Sequence, residues 1–132
     1  MKEEKQAKAS TPQNAISLES KKLSEMVKDQ SLSLLDRIES YEDIINIEVG
    51  DTALLRARNI EREAGVRQLF LKFEGGNPTG TQKDRIAFAQ CHDALRRGYD
   101  TITVATCGNY GASVALAAGL AGQHTIANHC LF

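Results

Sequence analysis

The sequence predicts an α/β fold built from parallel βαβ units, preceded by a helical N-terminal extension. Three observations lead there: strand-like and helix-like stretches alternate from Gln68 onward, the connections between them are short, and two glycine-rich turns each stand between a strand and a helix. In such sheets ligands bind beyond the carboxyl ends of the strands, so both turns are expected at one functional edge.

Taken in order, residues 1–14 are charged and polar with little to bury, and are expected to form a disordered tail. Residues 15–48 read as a helical segment. Leu23, Met26 and Val27 form one short stripe and Leu34, Leu35, Ile38 and Tyr41 another, with Ser33 and Asp36 spaced as a capping box between them. Two surface helices packing on a neighbour are expected.

Past Gly50 the pattern changes. Thr52 to Arg56 is a short apolar segment, Asn59 to Ala64 a helical turn closed by Gly65, and Gln68 to Phe73 (QLFLKF) alternates as a strand does. Gln82 to Arg97 carries Ala87, Phe88, Cys91, Ala94 and Leu95 at helical spacing and stops at Gly98. Asp100 to Thr106 is β-branched and reads as a buried strand, whereas Ala112 to Ala121 is apolar almost all round and reads as a buried helix. A further strand is expected to begin at Thr125 to Ala127.

The chain's 132 residues suit one domain, and 16 Lys and Arg against 17 Asp and Glu give a net charge of -1. That balance argues against nucleic acid and anionic membranes as partners and favours a small-molecule ligand. No apolar run approaches the ~20 residues of a membrane span, and MKEEKQAKAS lacks the apolar centre of a signal peptide, so a cytoplasmic location is expected. Cys91, Cys107 and Cys130 form no CxxC and have no zinc-spaced histidine partner, so neither a disulfide framework nor a metal site is expected.

Chemistry concentrates in the two turns. In EGGNPTGTQKDR, Thr81 and Asp84 fit a capping box, which puts Lys83 in the first turn of a helix. There the positive end of the helix dipole disfavours a cation, as partial burial would, and an amine so placed is suited to attack a carbonyl. The competing reading is a solvated surface lysine. A P-loop does not fit, because Thr81 and Gln82 separate Gly80 from Lys83, and no GxGxxG is present. The second turn, TCGNYG, leads into the apolar helix and offers backbone N–H groups to an amino-acid carboxylate. Asn109 and Thr106 add polar side chains; alternatively Asn109 and its glycines serve only to reach positive φ. His92, on the polar side of its helix, His124 and His129 are not convincing catalysts, and Cys91 reads as core.

NPTG followed by KDR, then TCGNYGAS after a helix and a strand, with VGDTALLR ahead of both, resembles the fold-type II pyridoxal-phosphate enzymes, which include threonine synthase, cysteine synthase and serine/threonine dehydratase. The similarity runs from about Val49 to Gly122 and is greatest to threonine synthase. It implies that residues 49–132 form part of a pyridoxal 5'-phosphate-dependent α/β domain, in which Lys83 holds the cofactor covalently and Asn109 hydrogen-bonds the cofactor's phenolic oxygen. It also implies that Thr106, Cys107, Asn109 and Tyr110 close on a small amino-acid substrate. The family's phosphate loop and the residue facing the pyridine nitrogen would lie in a later half, so the chain is expected to be truncated. Cysteine synthase or dehydratase chemistry, and a non-catalytic remnant that folds poorly or associates through its apolar helix with another subunit, such as a second copy, are the alternatives.

Overall fold

A computed structural model describes residues 16–128; the expected tail at 1–14, with His129 and Cys130, lies outside the described residues. Two helices come first, α1 (Leu18–Lys28) and α2 (Leu34–Glu48). Ser17 caps α1 by accepting the Ser20 N–H, and Ser33 caps α2 by accepting the Asp36 N–H at 3.1 Å, at the position the spacing predicted. The remaining elements are β1 (Leu54–Arg56), α3 (Arg58–Ala64), β2 (Phe70–Lys72), α4 (Lys83–Arg96), β3 (Thr101–Ala105), α5 (Asn109–Ala121) and β4 (His124–Asn128). Gly65 ends α3 at φ 67°, a left-handed conformation that glycine adopts without strain.

The α/β class holds, with one parallel unit. Strand β3 pairs with β4 in parallel, Ile102 opposite Thr125 and Val104 opposite Ala127, with α5 as the crossover. The expectation of parallel pairing throughout is corrected at QLFLKF. There β2 pairs antiparallel with β1, Leu55 opposite Leu71, in a separate two-stranded sheet. Alternation identifies a strand but does not choose its neighbour. Here Arg56, ion-paired to the mostly buried Glu61 at 2.8 Å, and Lys72, whose Nζ donates to the Thr52 carbonyl at 2.8 Å, fix the local partner.

The core lies between α5, α4 and the N-terminal helices. Val114, Ala117 and Ala118 of α5 are fully buried, as are Phe88 and Cys91 of α4, Tyr41 and Ile44 of α2 and Val27 of α1. Burying each Val, Ile or Phe contributes about 1.5–3 kcal/mol relative to leaving it in water. One side of the apolar helix therefore finds its cover inside the chain, while Ala112, Ala115 and Gly119 on its other side are exposed. Tyr41 donates from its hydroxyl to the Ala117 carbonyl at 3.0 Å, and Ser24 donates to the Leu120 carbonyl at 2.9 Å. Of the sequence stripes, Val27 and Tyr41 are buried, whereas Leu34 and Leu35 remain exposed. Among the described residues no helix is long and apolar enough to cross a membrane.

Candidate functional site

Lys83 opens α4, and its neighbours on both sides are tied down. On one side the loop 77–80 turns sharply at Gly80, with φ 79°. Asn77, 4% exposed, fastens this loop: its side-chain oxygen accepts the Gly50 N–H at 3.0 Å while its amide donates to the Glu74 carbonyl at 2.8 Å. On the other side Arg85 holds Glu74 through two nitrogens at 2.6 and 3.0 Å and donates to the Gly50 carbonyl at 3.0 Å. Hydrogen bonds from Arg85 hold the Glu74 carboxyl down to about 2, far below the usual glutamate range.

The capping box expected of Thr81 and Asp84 is not formed. The Thr81 hydroxyl accepts the Lys83 N–H at 2.9 Å, but Asp84, fully buried, gives both its oxygens to Thr79, whose N–H and hydroxyl donate at 2.8 and 2.6 Å. The left-handed Gly80 folds Thr79 over the start of α4, so the carboxylate meets that donor pair first. The Thr79 hydroxyl also lies 3.0 Å from the Ser113 hydroxyl, on α5.

The second turn is built on Thr106. Its hydroxyl accepts the N–H groups of Gly108 and Gly111 at 3.4 and 3.1 Å, and a Cβ at Gly111 would come within 2.4 Å of the Thr106 methyl. Gly111 is therefore required for close packing. Neither Asn109, Gly108 nor Gly111 has positive φ, so that reading of the turn falls away. Helix α5 begins at Asn109, three residues earlier than the sequence pattern predicts, which sets Asn109 and Tyr110 in its first turn. Their backbone N–H groups have no partner among the described residues, and the Tyr110 hydroxyl bonds the Gln90 side chain of α4.

These two turns meet. Lys83 lines an open cleft of about 420 Å³ together with Ala105, Thr106, Cys107, Gly108, Asn109 and Tyr110. All five candidate residues from the sequence are thus brought to one place. Lys83 is half-buried, and among the described residues its amine has no carboxylate within ion-pairing distance. One amine, an exposed Asn109 amide and two N–H donors at a helix start fit a flat aldehyde and a carboxylate. A volume of this order is typical of small-ligand sites.

The other candidates are structural. Burial pushes the Cys91 thiol up to about 12, which makes it inert as a nucleophile at neutral pH. His92 stacks on Tyr41 at 6.4 Å between ring centres and bonds Glu42 at 2.9 Å, joining α4 to α2. Sequence reasoning missed Thr79, Ser113, Glu74, Arg85, Asn77 and Gln90. Their partners lie up to 35 residues away, at separations with no local periodicity.

The family model described as pyridoxal-phosphate dependent enzyme matches residues 45–127. Threonine synthase of Methanocaldococcus jannaschii is 34% identical over 67% of this chain and 22% of that protein. The 2-amino-4-ketopentanoate thiolase beta subunit of Acetoanaerobium sticklandii is 43% identical over 59% of this chain and 18% of that protein. Cysteine synthase B of Pseudomonas syringae pv. syringae is 42% identical over 59% of this chain and 48% of that protein. The match thus spans between about a fifth and a half of the length of these relatives.

Proposed function

The chain belongs to the pyridoxal-phosphate dependent enzyme family, and on that footing we propose that it carries the lysine-bearing part of the site of a threonine synthase-like lyase, which converts phosphohomoserine to threonine by β,γ-replacement. One observation carries the reading: Lys83 lines the same cleft as Thr106, Cys107, Asn109 and Tyr110.

Pyridoxal phosphate, when bound, supplies an aldehyde for the lysine amine and a ring that takes up electron density from the substrate's α carbon. The rest is the work of this chain's residues. Lys83 Nζ, at the start of α4, would hold the cofactor through its aldehyde, and the free amine would accept a proton from the substrate's α carbon and return it further along the substrate. Asn109 would hydrogen-bond the cofactor's phenolic oxygen through its side-chain amide. The N–H groups of Asn109 and Tyr110 receive the substrate carboxylate, helped by the helix dipole of α5. Thr106 and Cys107 complete the loop, Thr106 by shaping it through the two N–H groups its hydroxyl accepts.

The NPTG, KDR and GAS segments favour threonine synthase-like chemistry. The resemblance to cysteine synthase B favours a second reading, replacement at the β carbon of an activated serine. Spectral titration separates them. Pyridoxal phosphate added to the purified protein is expected to give a long-wavelength band absent from Lys83→Ala. Phosphohomoserine is expected to alter that band and O-acetylserine to leave it unchanged. The same band in Lys83→Ala would overturn the proposal, and a response to O-acetylserine alone would favour the second reading.

A further inference from the structure

Between the two turns of the cleft runs a short chain of hydroxyl groups that ends on a buried carboxylate. Asp84 and Ser113 are both fully buried, and Thr79 stands between them. The direction of the chain follows from donor accounting. The Thr79 hydroxyl donates its one proton to Asp84 Oδ1 at 2.6 Å, so at the 3.0 Å contact it accepts from Ser113. The Thr79 N–H donates to the other carboxylate oxygen at 2.8 Å. Asp84 therefore has both oxygens engaged by a single residue, and that residue is itself held by α5.

We infer that Ser113, Thr79 and Asp84 form a positioning relay that sets Lys83 Nζ against the Asn109 turn; this rests on the reading given under Proposed function. Asp84 follows Lys83 directly in the first turn of α4, so fixing its carboxylate fixes the backbone from which the lysine projects. Ser113 sits one helical turn past Asn109 on α5, and the N–H groups proposed to receive the substrate carboxylate belong to that same first turn. The relay thus ties the amine-bearing helix to the carboxylate-receiving helix at their adjoining ends, the geometry a proton transfer at the α carbon requires. The side-chain bond from Tyr110 to Gln90 also joins the two helices, but further along α4. None of the three residues lines the cleft, so they act through Lys83 and not on the ligand.

The test reads selectivity, which a general loss of stability does not move. Limiting pyridoxal phosphate followed by borohydride labels amines, and the ratio of label on Lys83 to label on the exposed Lys22 is measured by peptide mass. In the unaltered protein Lys83 is expected to dominate. Thr79→Val, which keeps the shape and removes the hydroxyl, is expected to lower the ratio about tenfold, on the scale by which small misplacements slow reactions. Thr79→Ser is expected to restore it. Ser113→Ala, which removes only the outer donor, is expected to give a smaller fall and serves as the readout if Thr79→Val does not melt cooperatively. A Lys83 to Lys22 ratio unchanged in a folded Thr79→Val or Ser113→Ala protein, even with a lower melting point, overturns the relay and leaves the proposed function standing. No preference for Lys83 in the unaltered protein overturns the proposed function and the relay together.

Discussion

Arg85 and Glu74 clasp each other edge to edge, with Nε 2.6 Å from one carboxylate oxygen and a terminal nitrogen 3.0 Å from the other. The pair joins the residue two places after Lys83 to the start of the loop before it. A fork of this kind adds geometric definition that a lysine in place of Arg85 would not supply.

The clasp predicts a pH dependence. The folded Glu74 carboxyl is held at about 2 by Arg85, so the unfolded chain takes up the proton first as pH falls. The stabilisation is complete above the ordinary glutamate value of about 4.3 and is lost as pH falls from there toward 2. Melting temperatures of the unaltered protein and Glu74→Gln should differ by a constant amount above about pH 5 and converge below it. A difference independent of pH across that window would contradict the clasp.

Tyr41 predicts how firmly the N-terminal helices hold the rest. It is fully buried, stacks on Phe88 at 6.2 Å and donates to Ala117 at 3.0 Å. Tyr41→Ala should cost about 3–5 kcal/mol by the cavity it leaves, and Tyr41→Phe about 1 kcal/mol by the lost hydrogen bond. Urea denaturation measures both. Equal losses would mean that the hydroxyl, and not the packing, carries the contact.

Gly111 predicts a rescue. A methyl there would press on the Thr106 methyl at 2.4 Å, so Gly111→Ala should lose about 1–3 kcal/mol. Thr106→Ser removes the opposing methyl and keeps the oxygen that accepts the N–H groups of Gly108 and Gly111. The double variant should recover most of the loss. Strict additivity of the two changes would show that they do not touch.

Much of this fold was legible because single elements announce themselves. The stripe of α4 with its stop at Gly98, the β-branched run of β3 and the glycine that ends α3 each follow from local spacing. What local spacing cannot convey is the choice of partner. QLFLKF alternates equally well beside β1 or β3, and the apolar α5 demands cover without saying that Tyr41 and Ser24 provide it. At the site, the lysine and the asparagine turn stood out through residue type and order. The Asp84 to Thr79 bond did not, because Thr81 satisfies the capping pattern equally well and only the left-handed Gly80 decides between them.

On the proposed function, the amine of Lys83 is the one this chain presents to a cofactor aldehyde. The most direct measurement is peptide mapping of the protein after equimolar pyridoxal phosphate and borohydride. One pyridoxyl group per chain is expected, on the peptide that contains Lys83. Label spread over exposed lysines such as Lys21 and Lys22, with Lys83 unmodified, would contradict it.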